Sequence, residues 1–183
     1  ASPIISGIST NQINIDTKFN GADILLFGAK DDFGDIVIAV RGPKKDFMVT
    51  RKEKIFGIWH NGKRVKLEDS YSYYSFFSTL RDSESSKQIM SELELGMDNL
   101  KFYSSSDVKS ADKDKFQIEL MDHLEKSDLY LKESDDIDFL DETLFKVMLK
   151  FPKNIARGVY NVEIYLINDN NLSSFQTIPI YVN

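Results

Sequence analysis

The 183-residue sequence contains no cysteine and only two histidines, His60 and His123. Without cysteine the chain cannot form disulfide bonds, bind a metal through thiolates or use a cysteine nucleophile. Any histidine-based catalysis or zinc binding would have to use these two residues. The absence of cysteine leaves the cellular compartment open, because a domain of this size can fold without disulfide bonds even in an oxidising space.

Long apolar runs are absent as well. The sequence has no stretch of about 18 apolar residues, the length that a helix needs to cross a bilayer. The first residues, Ala1-Ser2-Pro3, have neither the basic residues nor the apolar stretch of a signal peptide. The content of 42% hydrophobic and 12% aromatic residues excludes wholesale disorder. At this length we expect residues 1–183 to form a single domain.

The net charge of −6 argues against general nucleic-acid binding. The charge is unevenly distributed: residues 41–66 contain nine basic and two acidic residues, whereas residues 82–142 contain seven basic and eighteen acidic residues. Two interpretations remain open. The segments could be ordinary solvated faces that complement one another, or the basic segment could face anionic lipid headgroups.

The first half of the chain has the pattern of short strands separated by turns. Residues 22–29 and 36–40 are apolar runs, interrupted only by Asp23, which predict strands buried on both faces. A β-hairpin is predicted from Phe47 to Trp59 and from Lys63 to Leu67, with its turn at Asn61-Gly62, because Asn-Gly suits a type I′ turn. Residues 72–77 predict a further strand that presents aromatic side chains on both faces.

The hydrophobic period changes between residues 83 and 131. Ser85, Gln88 and Gly96 have the positions of helix-terminating residues and predict one short helix. Residues Lys113 to Leu131 predict a longer amphipathic helix with Phe116, Leu120, Met121 and Leu124 on one side. We therefore expect a helical insertion at about residues 83–131.

The end of the chain returns to alternating strands, at about residues 145–151, 160–166 and 178–182. Pro152, a short loop, Gly158 and Tyr160 form a sequence common in immunoglobulin-like sandwiches, where such a tyrosine can hydrogen-bond back to the chain at a corner. The predicted fold is mainly β, an immunoglobulin-like antiparallel β-sandwich with a helical insertion.

No segment of the sequence matches a complete catalytic or cofactor-binding motif. Residues 57–64 approach the phosphate-binding P-loop, but Arg64 replaces the required Ser or Thr and no helix is expected to follow. The acidic residues of segment 135–142 lack the glycine of a calcium-binding loop, and the acidic residues near 31–35 are typical of a tight turn. We expect no catalytic residue, no cofactor, no metal site and no enzymatic activity.

The hairpin offers the only candidate contact residues for a partner. Trp59 is expected to pack within the protein, but an exposed aromatic end beside His60 could instead contact a partner. The neighbouring basic residues belong to the same candidate surface, which comprises Arg51, Lys52, Lys54, Trp59 and His60.

Several phrases along the chain resemble a family of alphaproteobacterial proteins described as putative transmembrane proteins, which has no assigned activity. The phrases follow one another in order across nearly the whole sequence and contain no catalytic motif. They are Gly7-Ile8-Ser9-Thr10, Phe19-Asn20-Gly21-Ala22-Asp23, Val40-Arg41-Gly42-Pro43, Gly57-Ile58-Trp59, Asp141-Glu142-Thr143-Leu144-Phe145 and Gly158-Val159-Tyr160-Asn161-Val162.

The resemblance implies a secreted protein with a signal peptide, a periplasmic domain and a C-terminal transmembrane helix beyond this sequence. It places the domain at the periplasmic face of the bacterial inner membrane and implies a membrane protein partner, with a sulfite-exporter-like permease as one candidate. We therefore expect a non-catalytic protein-interaction or transporter-accessory module. The alternative is an accessory domain that binds a small molecule or metal ion, with segment 135–142 as one candidate site. The sequence leaves the oligomeric state open.

Overall fold

The computed structural model describes residues 4–31, 33–80, 83–104, 110–131 and 137–183, without the side chains of residues 51–53, 63 and 110–112. The chain is mainly β and its sheets are almost entirely antiparallel. Its elements are β1 (Ile4–Ile8), β2 (Gln12–Ile13), β3 (Ala22–Lys30), β4 (Asp35–Arg41), β5 (Lys44–Ile55), β6 (Ile58–Tyr71), β7 (Tyr74–Ser78), α1 (Lys87–Glu92), β8 (Tyr103–Ser104), α2 (Ser110–Lys126), β9 (Tyr130–Leu131), β10 (Asp138–Leu140), β11 (Leu144–Phe151), β12 (Gly158–Asn168) and β13 (Asn171–Val182).

These strands form three sheets. The front sheet has the order β1-β3-β11-β10, the central sheet has the order β2-β13-β12-β4-β7-β9, and the hairpin sheet has the order β5-β6-β8. Among the described strands, the short β2 and β9 pair in parallel with their neighbours, and the other pairings are antiparallel. The mainly β, antiparallel character expected from the alternating sequence pattern is therefore confirmed.

Two hydrophobic cores lie on opposite faces of the central sheet. Alternate residues of β4 point to opposite faces, so Ile36, Ile38 and Val40 pack against the front sheet. Val37 and Ala39 pack instead against the helices and the hairpin sheet. The prediction that this strand is buried on both faces is correct, because the helical segment covers the face that the front sheet leaves free.

The predicted tyrosine contact at the beginning of β12 is also present. The Tyr160 hydroxyl donates a hydrogen bond of 2.7 Å to the carbonyl of Ala156, four residues upstream. Tyr160 is fully buried and contacts the rings of Tyr73 and Phe151. The bond closes the loop that leads from the front sheet into the central sheet.

The helical segment differs in three ways from the prediction for residues 83–131. The short helix follows Ser86 and ends at Glu92, so neither Ser85 nor Gly96 terminates it. The long helix ends at Lys126, five residues before the predicted end at Leu131. Asp128 takes a positive φ of 59° and the Leu129 amide donates to the Leu124 carbonyl, which terminates the helix. Tyr130 and Leu131 then join the central sheet, and Tyr103 and Ser104 join the hairpin sheet. The insertion therefore contributes strands to the sheets as well as helices.

The hairpin turn lies at Phe56-Gly57, and the predicted turn at Asn61-Gly62 is wrong. Phe56 and Gly57 both have positive φ values, 49° and 79°, as a type I′ turn requires. Asn61 pairs with Lys52 inside the ladder, and Gly62 lies at a register shift where one residue of β5 faces two of β6. The Asn-Gly pair marks a β-bulge, which also favours glycine.

The hairpin continues two strands of the central sheet. Arg41 pairs with Tyr74, and after two further residues Lys44 pairs with Tyr71 in the same register. Hydrogen bonds of 2.8 and 2.9 Å across Gly42 and Pro43 join the two ladders. Residues 35–55 and 58–78 thus form one long antiparallel ribbon, which is rooted in the central sheet and ends at Phe56-Gly57.

Candidate interaction surfaces

The tip of this ribbon, residues 54–60, is exposed throughout. Phe56 is 100% exposed, Trp59 is 65% exposed and Ile58 is 63% exposed. The expectation that Trp59 packs within the protein is therefore wrong. The Lys54 ammonium lies over its ring, 5.8 Å from the ring centroid. His60 is also exposed and pairs with Glu53 in the ladder.

The positive charge counted over residues 41–66 does not all lie on one surface. Arg41 is only 5% exposed and belongs to the core, and Lys66 forms ion pairs with Asp46 and Glu68. Lys54 and Arg64 are exposed near the tip. The side chains of Arg51 and Lys52 lie outside the described residues, although their backbone forms part of β5. Lys44 and Lys45 are exposed as well, at the root of the ribbon. The exposed basic residues are therefore spread along the hairpin, and residues 51–64 in its distal half contain five of the basic residues of this segment.

A second apolar surface lies on the outer face of the front sheet. β3 buries Ile24 and Leu26, but the intervening residues point away from the core, and Phe27 is 48% exposed. The expectation that both faces of this strand are buried is therefore wrong. The apolar run at residues 22–29, which only Asp23 interrupts, is the feature of the sequence that indicates this surface. In a strand with one solvated face, apolar residues normally alternate with polar ones.

One row of this outer face is apolar across all four strands. Ile5 pairs with Ala29, Ala29 with Leu144, and Leu144 with Leu140. Ile5, Leu140 and Leu144 are 66%, 57% and 49% exposed. Together with Phe27 and neighbouring residues they line a shallow groove of about 460 Å³. Contiguous exposed apolar surface of this kind marks interaction sites in soluble proteins.

The fold also brings together two acidic turns that are far apart in sequence. Asp31 from the β3–β4 turn and Asp141 and Glu142 from the β10–β11 turn line one open pocket of about 550 Å³. Lys30 and Phe139 line the same pocket, with the Lys30 ammonium 5.5 Å from the Phe139 ring centroid. Asp32, Asp135 and Asp136 lie outside the described residues. In the part of the chain that is described, no three His, Asp or Glu side chains are placed to hold a metal ion.

The two histidines do not form the centre of a buried site. His60 lies on the exposed hairpin tip, and His123 is exposed on α2, where its carbonyl accepts hydrogen bonds from Ser127. Neither side chain lines any of the pockets described above. The geometry of the histidines therefore adds no support for a catalytic role.

The most buried charge in the described chain is the Arg41 guanidinium. Its Nε donates to the Glu163 carboxylate at 2.9 Å, and one terminal nitrogen donates to the carbonyls of Leu93 and Glu94, each at 2.9 Å. Burial acts to lower the pKa of Arg41, but the neighbouring Tyr74 and Glu163 outweigh it, so the guanidinium stays charged. Arg41 thereby ties the end of α1 to the central sheet.

Comparison with known protein families decides which group of proteins the chain belongs to. A family model described as "Putative transmembrane protein (Alph_Pro_TM)" matches residues 3–183. The chain belongs to this family. The resemblance noted in the sequence is thus confirmed over essentially the whole chain, and the family's transmembrane designation applies to the protein.

Other comparisons give no further relatives for this member of the transmembrane family. Neither a search of curated proteins nor a search of solved structures gave a match. Among the described residues no helix combines the length and the apolarity needed to cross a membrane.

Proposed function

We propose that residues 1–183 form one periplasmic, non-catalytic domain of a membrane-anchored protein and that this domain docks a protein partner or assists a transporter. The family's transmembrane designation supports the membrane association. The protein would reach the periplasmic face of the bacterial inner membrane through a signal peptide and a C-terminal transmembrane helix outside this sequence. The resemblance points to a membrane protein partner, with a sulfite-exporter-like permease as the first candidate.

We further propose that the front and central sheets form an immunoglobulin-like sandwich. Their shared core and the bond from Tyr160 to the Ala156 carbonyl support this assignment, because such a tyrosine corner is a feature of immunoglobulin domains. Many domains of this architecture present sheet faces and loops to partners.

The observation that carries the docking proposal is the apolar row across the outer face of the front sheet. Ile5, Ala29, Leu144 and Leu140 lie side by side on four adjacent strands, with three of these side chains about half exposed or more. Lys146 occupies the adjacent row beside Phe27 and provides a polar rim. A surface with an apolar centre and a charged rim has the composition of a protein-protein interface.

The test is site-specific photo-crosslinking of the full-length protein in its native membranes. A photoreactive residue at Leu144 should yield an adduct with a second membrane protein, whereas the same residue at Leu172 should not. Leu172 is a suitable control because it is 44% exposed and lies on β13, outside the front sheet. Equal adducts at both positions, or an adduct only with another copy of the protein, would contradict the proposal.

The acidic pocket supports a second candidate function, the binding of a small molecule or metal ion. The observation in its favour is that Asp31, Asp141 and Glu142 converge on one pocket from two separate turns. Calorimetry with Ca²⁺ and with common small anions would test it. Heat that disappears in Asp141→Asn would support the ligand site, and no heat at millimolar ligand would end it.

A further inference from the structure

The tip of the hairpin exposes apolar side chains on both of its faces. Ile55 pairs with Ile58 on one face of the ribbon, and Lys54 pairs with Trp59 on the other. Phe56 occupies the turn between them, and open space surrounds Gly57. A protein partner usually covers one face of a ribbon. Lipid surrounds an inserted ribbon on all sides, and this requirement fits a tip that exposes apolar side chains on both faces.

Along the ribbon, apolar residues at the tip are followed by basic residues, which is the order in which a bilayer presents its hydrocarbon and its headgroups. The apolar residues lie at the tip, whereas residues 51–64 as a whole contain five basic residues and one acidic residue, a net charge of +4. Lys52 precedes Ile55 by three positions, so its backbone lies roughly 10 Å from the apolar pair. Amphipathic segments in the membrane interface bury their apolar side to about this depth, which leaves the basic residues level with lipid phosphates.

Charge complementarity favours an anionic surface for this tip. The whole chain has a net charge of −6, so an anionic bilayer repels most of the molecule. The distal half of the ribbon, residues 51–64, carries the opposite charge. Trp59 adds a side chain that is enriched at membrane interfaces, where its ring meets both hydrocarbon and headgroups.

We propose that residues 54–60 insert into the interfacial layer of an anionic lipid bilayer. Phe56, Ile58 and Trp59 enter the apolar boundary, and Lys54 and Arg64 face the phosphates. This contact holds the domain in a defined orientation on the membrane. It goes beyond the proposed function, because lipid insertion does not depend on whether the front sheet binds a partner.

The test measures binding of the chain to vesicles. Trp59 is the only tryptophan, so its fluorescence reports the tip directly. Vesicles containing phosphatidylglycerol should shift its emission to shorter wavelength and allow quenching by brominated acyl chains, whereas pure phosphatidylcholine should have a much smaller effect. High salt should weaken binding by screening the basic residues. An unshifted Trp59 emission with anionic vesicles would overturn the proposal.

Matched variants separate insertion from general adhesion. Phe56→Ser should weaken vesicle binding about tenfold, because a buried phenyl ring is lost from the bilayer. Phe33→Ser should have no effect, since Phe33 is 86% exposed but lies in the β3–β4 turn. Lys54→Glu should weaken binding about fivefold or more, and Lys18→Glu, at an exposed site away from the hairpin, should change it far less. Equal effects of tip and control variants would refute the assignment.

A photoreactive residue at position 56 in full-length protein distinguishes a lipid from a protein occupant. Adducts with phospholipid support insertion, whereas a predominant adduct with a protein overturns it. Because this readout is independent of position 144, failure of lipid insertion can be told apart from failure of the partner proposal.

Discussion

The buried pair of Arg41 and Glu163 allows a quantitative test of what joins the helical segment to the central sheet. The two side chains are 6% and 18% exposed, and the Tyr165 hydroxyl also donates to the Glu163 carboxylate. Removal of one partner from a buried ion pair typically costs 3–5 kcal/mol. Because Glu163 retains some solvent contact, we expect Arg41→Met to lower the free energy of unfolding by about 3 kcal/mol.

Glu163→Gln should be less destabilising than Arg41→Met. The amide oxygen of glutamine can still accept from the Arg41 Nε, so we expect a cost of about 1–2 kcal/mol. In the double variant no uncompensated charge remains. Its cost should therefore be smaller than the sum of the single costs by at least about 1 kcal/mol.

Urea unfolding of the four proteins gives the full double-mutant cycle, provided that the denaturant dependence of the free energy is the same in all four. Arg64→Met is the matched control, because Arg64 is exposed on the hairpin, and we expect a change within about 0.5 kcal/mol. A cost below about 1 kcal/mol for Arg41→Met, or additive costs in the double variant, would refute the role assigned to the pair.

Three further changes test other parts of the fold. Tyr160→Phe should lower the free energy of unfolding by about 1 kcal/mol through loss of the bond to Ala156, measured by thermal unfolding, and an unchanged midpoint would argue against a stabilising corner. Burial raises the pKa of Tyr74 and of Tyr160 to about 12. These side chains ionise more readily in the unfolded chain, so stability should fall between about pH 10 and 12 by roughly 1.4 kcal/mol per unit for each tyrosine. Absorbance at alkaline pH should show their ionisation together with unfolding, and ionisation near pH 10 in the folded protein would contradict the assignment. Gly42→Ala would place a β-carbon 2.8 Å from the Tyr73 β-carbon, and we expect a loss of about 2 kcal/mol or more in urea unfolding.

The strand pattern was predictable because side-chain alternation is a local property. The residues of β11 alternate between exposed and buried, as the period-2 pattern of its sequence predicts. In the aromatic segment at residues 73–77, Tyr73 and Phe77 likewise pack into one core, and Tyr74 and Phe76 pack into the other, as expected. These outcomes need no knowledge of which strand lies next to which.

The position of the hairpin turn was less predictable, because two dipeptides in the same hairpin can each form a type I′ turn. Asn61-Gly62 has the stronger preference for a type I′ turn, yet the chain turns at Phe56-Gly57. The ladder that begins in β4 and β7 sets the register: Arg41 opposite Tyr74 fixes the positions that follow, apart from two bulges. The pairing register of the hairpin is thus set by strands of the central sheet. A local sequence pattern contains no information about such tertiary pairing.

The acidic pocket shows the same limit for sites. Asp31 and Asp141 are more than a hundred positions apart. The sequence pattern predicted a turn for Asp31 and only an acidic segment for Asp141, with nothing to relate the two. Only the pairing of β3 with β11 brings their turns to the same end of the front sheet. These acidic side chains come together because of the order of the strands in the sheet. The alternation of apolar and polar residues along the sequence does not specify that order.

The contrast between β3 and β4 indicates how the chain separates structural from functional apolar surface. Both strands contain a run of apolar residues, and the sequence alone predicts that both are buried on two faces. β4 lies inside the central sheet, where the helical segment covers its second face, whereas the second face of β3 remains open. The same composition therefore supplies core in one strand and an exposed contact surface in the other. The hairpin adds a second exposed apolar site of different character, since its tip is narrow, basic and accessible from both faces. One flat surface and one projecting tip fit the two neighbours that we propose, a protein partner for the front sheet and a membrane for the hairpin tip.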